Sequence, residues 1–314
     1  MKKALSDLNT AIFGWGSPVT LGFFRAVFCS LVTINLLMIS IDFGAWFTED
    51  GYVPAGLAKV WQGRDWFFSP LTSVTDSRIT MAFMMLVIVA GVLSALGLFS
   101  RVATIVLAVG MVTLHHRNPY ILHGGDTLMR SVCIYLAIAP SGLACSLDRM
   151  LILRKNPEAP LPAISLWPQR LLQYQWALVY LTTAWAKAYG HTWHDGTAVW
   201  YPPQISEFHR FNVPAFIDQQ PMMAILTYGT LIVEVALATL VFSRPWRKWV
   251  LLSGVLLHLG IEWRLNIPLF AFLMMSGYLT FYEGEEMAGW LRRMSERYKL
   301  LRWVPSWMGQ EQAI

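Results

Sequence analysis

The stretch ITMAFMMLVIVAGVLSALGLFSRVATIVLAVGMVTL, residues 79–114, is almost wholly apolar and is broken by one polar pair, Ser100-Arg101. A bilayer core about 30 Å thick takes roughly 20 apolar helical residues to cross. Two such runs with almost nothing between them return on themselves as an antiparallel helical hairpin. The rest of the chain agrees: of 314 residues 55% are hydrophobic and 14% charged, with a mean hydropathy of +0.46. That balance excludes a soluble globule and describes a polytopic helical membrane protein. Fifteen Trp and eleven Tyr suit a protein anchored at two water interfaces. The net charge of +5 lies in particular loops and at the ends, and nothing in it calls for a nucleic acid. Cys29, Cys133 and Cys145 are odd in number and form no CxxC pair, which argues against a disulfide framework and a structural zinc.

Outward from this hairpin, apolar runs predict an all-α polytopic membrane helical bundle of about eight transmembrane helices. They lie near 21–41, 79–99, 102–114, 127–143, 171–189, 222–242 and 249–263, with a last span opening at Asn266 and ending near Tyr282. Before the first, residues 4–16 place Leu5, Leu8, Ile12 and Phe13 at the spacing of a short surface helix. The first span lacks a small-residue cleavage site and reads as retained rather than as a signal peptide. Arg25, near its start, is expected to snorkel or to pair with a lipid phosphate. Two aromatic-rich outer loops, 42–78 (with Trp46, Trp61, Trp66 and Phe67) and 197–220, are expected to fold as caps, and 148–167 as a charged, proline-rich loop. Residues 283–301 carry Met287, Trp290, Leu291, Met294, Tyr298 and Leu301 on one stripe, with Arg292, Arg293, Arg297 and Lys299 elsewhere. This is a C-terminal basic amphipathic helix suited to an anionic lipid surface. The organisation is thus a transmembrane domain over 1–285 and an amphipathic cytoplasmic tail over 286–314.

The N-terminus, the C-terminus and the loops on their side hold fifteen Lys and Arg, the opposite loops eight, and Arg25 lies within the first span. This bias predicts both termini in the cytoplasm, in the inner membrane of a bacterium. His115, His116, Arg117, Asp126, Lys187, His191, His194, Asp195, Glu262 and Arg264 then fall in the outer half, with His258 one turn deeper than Glu262 on the same helical face. An ionisable residue within a span is a functional candidate by default. Lys187 is the foremost of these, since it closes a long apolar run just before Trp193, Asp195 and Tyr201. A lysine at a span end also snorkels, with Trp185 and Trp193 as interfacial neighbours. A lysine that accepts protons must spend part of its time neutral, which an apolar helix favours and a carboxylate such as Asp126 or Asp195 opposes. Asp126 also stands where a carboxylate caps the helix that follows.

An ordered set of motifs carries a resemblance. His115-His116-Arg117-Asn118-Pro119 leads to Gly124-Gly125-Asp126 and Arg130, followed by Ser146-Leu147-Asp148, by Gln173, Gln175, Tyr180 and Lys187, by Trp193-His194-Asp195-Gly196, by Glu234, and by His258 with Ile267-Pro268-Leu269-Phe270. Over about 18–285 the chain resembles the horizontally transferred transmembrane (HTTM) domain family, which includes the vitamin K-dependent γ-glutamyl carboxylase. The resemblance implies a lipid cofactor, vitamin K hydroquinone or another membrane quinol, and no metal. It implies Lys187 as the base that deprotonates the quinol and His258 as a second catalytic residue. His115, His116, Arg117, Asp126, Trp193, Asp195, Tyr201 and Glu262 are the expected quinol-binding residues. The implied partners are membrane lipid and a protein or peptide substrate. The carboxylase also has a long lumenal C-terminal region that helps hold its protein substrate, and this chain stops at Ile314, so the quinone pocket is the firmer implication. A reading from a different class is a non-catalytic lipid-binding or assembly partner of another membrane protein. A third is a metal site built from His115, His116, His191 and His194, although no full ligand set is written locally.

Overall fold

The computed structural model describes residues 2–62 and 68–298. Trp66, Phe67, Lys299 and Leu301, and the part of the expected tail beyond 298, lie outside these. The chain is predominantly helical and divides into two compact units, Met1–Gln169 with Tyr282–Ile314, and Arg170–Phe281.

In the first unit the helices are α1 (Lys2–Phe13), α2 (Val19–Ile41), α3 (Phe43–Phe47), α4 (Ala55–Gln62), α5 (Ser77–Leu96), α6 (Ser100–Arg117), α7 (Gly124–Ile138) and α8 (Leu147–Lys155). The second holds most of α9 (Trp167–Lys187), then α10 (His191–His194), α11 (Gln220–Ala238), α12 (Arg244–Arg264) and α13 (Phe270–Ser276); α14 (Gly284–Arg297) returns to the first. Among the described residues α2, α5 and α11 are long and apolar enough to cross a bilayer on their own. This is an integral membrane protein.

The expected hairpin is α5 and α6, which pack against each other. Its turn needs Gly97, which closes α5 in the left-handed region at φ 69° and leaves room for the Arg25 guanidinium beside it. Asp148 fastens the turn, its Oδ1 accepting from Phe99 N at 2.9 Å and its Oδ2 from Ser100 N at 2.8 Å. Arg25 does not snorkel. It is fully buried and donates from Nε to Ser141 O at 3.1 Å, from Nη1 to the carbonyls of Ser94 and Ala95, and from Nη2 to Cys145 O. Carbonyls left open at a helix end and in a loop offer a guanidinium several acceptors at once, and this outweighs the reach to the headgroups.

Several boundaries differ from the sequence reading. The helix α7 stops at Ile138, before the expected 143, because Pro140 disfavours its continuation and Gly142 does not favour a restart. Fifteen residues make only about 22 Å of helix, short of a full span. The 148–167 loop contains α8, with Ser146 accepting from Arg149 N at 2.9 Å, Asp148 in the first turn and Arg154 and Lys155 in the last. The expected surface helix at 4–16 ends at Phe13, and Trp15–Gly16 pair instead with Ile164–Ser165 as a short antiparallel ladder. The tail helix α14 lays Met287, Ala288 and Leu291 inward and packs on α2, with Trp290 edge-on to Phe23 at 6.1 Å. Its apolar face is thus covered in part by protein, while Trp290, Tyr298, Arg292, Arg293 and Arg297 stay exposed.

In the second unit α11 and α13 pack on α12. Trp176 of α9 anchors α13 by donating from Nε1 to Met274 O at 2.9 Å, and its ring takes the space that a Cβ on Gly277 would occupy. Gln173 donates to Thr280 O at 2.6 Å just beyond.

Candidate functional site

The helical repeat brings Tyr180, Thr183, Ala184 and Lys187 to one face of α9. Glu234, in the middle of α11, meets that face: Lys187 Nζ donates to Glu234 Oε1, and Thr183 Oγ1 lies 3.5 Å from Glu234 Oε2. The lysine side chain is 25% exposed and the glutamate 8%. The ammonium also stands 5.1 Å from the centre of the Trp193 ring, a cation–π distance. Lys187, Trp193 and Glu234 line one cavity of about 460 Å³, whose other walls are mostly apolar, among them Val199, Pro203, Leu226, Leu257 and Ile261. An ion pair in a largely apolar chamber can hold one polar group of a ligand and pass a proton to or from it.

One turn and more back along α9, Tyr180 Oη lies 2.8 Å from His258 Nε2 and 2.9 Å from Tyr278 Oη. All three are buried, and His258 Nδ1 has no partner among the described residues. Phe270 closes the histidine edge-on at 5.8 Å between ring centres. His258 and Glu262 share a face of α12 yet part company: Glu262 pairs with Arg210. Arg264, which lines the cavity, donates from Nη2 to Asp218 Oδ1 at 2.5 Å. These two ion pairs, with Asn266 N donating to Phe208 O at 2.8 Å, tie the 197–219 segment to the end of α12. That segment is the folded cap expected from its aromatics, built of short 3-10 turns.

Asp195 serves its own turn. Its Oδ1 accepts from Thr197 N at 3.0 Å and from the Thr197 hydroxyl, and His191 Nδ1 is 3.2 Å from Oδ2. The Thr197 hydroxyl, chiefly, holds this carboxyl below its ordinary pKa. Tyr201 is half exposed, edge-on to Trp200 at 5.2 Å, and is not among the residues lining the cavity.

His115, His116, Arg117 and Asp126 belong to the first unit. There the end of α6 holds the segments on either side of 63–67: Arg117 Nη1 donates to Val53 O at 2.9 Å, Asn118 Nδ2 to Trp46 O at 2.9 Å, and His116 Nδ1 lies 3.0 Å from Phe68 O. His115 is buried, with neither ring nitrogen bonded among the described residues. The cap of α7 is His123, whose Nδ1 accepts from Gly125 N at 2.9 Å, and Asp126 completes a capping box by accepting from His123 N at 2.8 Å. Among the described residues no three His, Cys, Asp or Glu side chains gather in a metal-binding group.

The sequence reading placed Lys187 but missed its partner. The signal was present, since Glu234 is a lone carboxylate in an apolar helix and such a group finds a cation or a wet cavity. No curated protein and no solved structure matches the chain. The family model of the HTTM domain matches residues 17–285, so the chain belongs to the HTTM domain family.

Proposed function

We propose that this membrane protein is an enzyme that binds a lipid quinol, vitamin K hydroquinone or another membrane quinol, in the cavity beside Lys187 and uses it in oxygen-dependent, carboxylase-like chemistry. The observation that carries the reading is the Lys187–Glu234 pair set in the wall of an apolar chamber. About 460 Å³ is within the range of small-molecule sites, and a flat ring with a hydroxyl fits mostly apolar walls that carry a few polar groups. The quinol, when bound, supplies the electrons that reduce dioxygen.

The chain's own part is to handle a proton. The pair is neutral as a whole, so it can take up one proton and become singly positive beside the oxygen that gave it up. Lys187 offers the amine once its own proton rests on Glu234 Oε1, and the resulting ammonium steadies the negative charge left at that oxygen. His258, linked to Tyr180, is the next group along this face able to carry a proton. A protein or peptide is the co-substrate that family membership favours.

Lys187→Arg tests the role of the lysine, because arginine keeps the ion pair but does not become neutral. Dioxygen uptake by the purified protein with a reduced naphthoquinone and bicarbonate is expected to fall by about 10²–10⁴-fold, the usual worth of a positioned acid or base. Full uptake in this variant would remove the mechanism. Uptake by neither protein, with quinone still co-purifying, would favour a lipid-binding partner without catalysis.

The apolar runs support the finer topology of eight spans, with α7 a short one, and the charge bias supports both termini cytoplasmic and the Lys187 cavity facing outward. A cysteine at Gly124→Cys is expected to label from outside intact cells and one at Arg154→Cys to stay protected; the reverse pattern would overturn this orientation.

A further inference from the structure

The first unit contains a separate cleft of about 540 Å³, walled by Ser100 and Arg101 at the start of α6, by the turn after α7 and by α8 with the proline-rich segment behind it. Two arginines line it. Arg149 is 4% exposed; its Nη2 donates to Ala159 O at 2.5 Å, and its Nε has no partner among the described residues. Arg101 is exposed and shares Nη1 between the carbonyls of Ile138, at 3.0 Å, and Ala139, at 3.4 Å.

The cleft also contains a carboxylate, Asp148, but its oxygens are committed to the α5–α6 turn, with Ser100 Oγ donating to Oδ2 at 2.7 Å in addition to the two backbone groups. Among the described residues no carboxylate lies within 4.0 Å of either guanidinium. The wall therefore carries an excess of positive charge, one member of it buried with a free donor. A buried cation without a counter-ion is costly, and an anion that enters the cleft relieves that cost. Guanidinium groups match the tetrahedral oxygens of phosphate better than a point charge does. The remaining wall is apolar, with Leu143, Ile152 and Pro162 beside the arginines, so the anion comes with a hydrocarbon neighbour.

We propose that this cleft is a phosphate-binding site for an anionic phospholipid, with Arg149 and Arg101 on the phosphate and the apolar wall along the first part of an acyl chain. A soluble phosphate ester offers the same oxyanion and is the other source. The site is independent of the Lys187 cavity and of what that cavity binds.

The test uses the full chain, purified in neutral detergent, and follows thermal unfolding while phosphatidylglycerol, inorganic phosphate or diacylglycerol is added. Diacylglycerol has the chains without the phosphate. Phosphatidylglycerol is expected to raise the midpoint and diacylglycerol to leave it unmoved; a rise with inorganic phosphate as large as with the lipid assigns the site to soluble phosphate. Arg101→Gln, at an exposed position, is expected to weaken phosphatidylglycerol binding about tenfold, the loss of one charge-assisted contact. Arg149→Gln is expected to weaken it further, and Ile152→Trp, which fills the apolar wall and keeps both arginines, guards against a folding defect in that variant. Equal responses to diacylglycerol and phosphatidylglycerol, no response to any addition, or unchanged binding in Arg101→Gln and Ile152→Trp would overturn the proposal.

Discussion

Arg25 and Lys187 are both cations within apolar helices, one in each unit, and their surroundings differ in kind. Arg25 spends its donors on four backbone carbonyls and has no room left for a ligand. Lys187 meets a carboxylate and the face of a ring, keeps a quarter of its side chain accessible and borders a chamber. An ionisable residue in a membrane helix marks a functional site only when its hydrogen-bonding capacity is incompletely used by the fold. Arg25 is a staple, and Lys187 is the candidate for a site.

The largest expected effect breaks that comparison from the side of stability. Arg25→Met takes the guanidinium from four carbonyls; Ser94 O keeps Gly97 N, while those of Ser141 and Cys145 lose this buried donor, and about 3 kcal/mol should be lost. Removing Lys187 and Glu234 together, as Lys187→Met with Glu234→Gln, should change stability by no more than about 1 kcal/mol, since a partly buried pair roughly breaks even against neutral groups. Denaturation in detergent checks both. Equal losses would mean that the Lys187 pair is as structural as Arg25.

The contrast between the two cations also marks how far the sequence could be read. The hairpin, the folded aromatic segments and the candidacy of Lys187 were legible because each rests on local composition: an apolar run, an aromatic cluster, a charge at a helix end. The cap of α8 was equally local in Ser146-Leu147-Asp148, but a charged loop masked it. The true partners were not legible. Lys187 and Glu234 lie 47 positions apart, Arg25 and Cys145 120, and only packing decides which distant group each meets. Asp126 and Asp195, the nearer carboxylates by motif, are occupied by their own capping box and turn. The Trp15–Gly16 ladder is too short to produce an alternating pattern.

A smaller effect sharpens the comparison within the second unit. Tyr180→Phe removes the hydroxyl that links His258 Nε2 and Tyr278 Oη, leaving two buried polar atoms short of one partner. The expected loss is about 1–3 kcal/mol, with the cavity walls intact because Tyr180 does not line the chamber. If stability falls and quinone retention is unchanged, the triad is a prop behind the site. A loss of dioxygen uptake beyond that explained by unfolding would make it part of the proton path.

The smallest effect concerns Asp195, the candidate nearest to Lys187 in sequence whose bonds go elsewhere. Its carboxyl is held below the usual pKa, first by the Thr197 hydroxyl, and it stands at a solvent-exposed turn. A carboxyl depressed in the folded state favours folding at any pH above its unfolded value, about 3.9, and that contribution fades as pH falls through the lower folded value. Asp195→Asn should therefore leave stability at neutral pH slightly reduced and flatten only the acid end of the stability profile below about pH 4. The Lys187 cavity should bind as before, since neither oxygen of Asp195 bonds to the lysine. Unfolding followed across pH in both proteins checks this. A variant whose ligand retention fell at neutral pH while its acid limb stayed unchanged would place Asp195 in the cavity's chemistry, and would shift the candidate base from the Lys187–Glu234 pair toward the polar turn that follows α9.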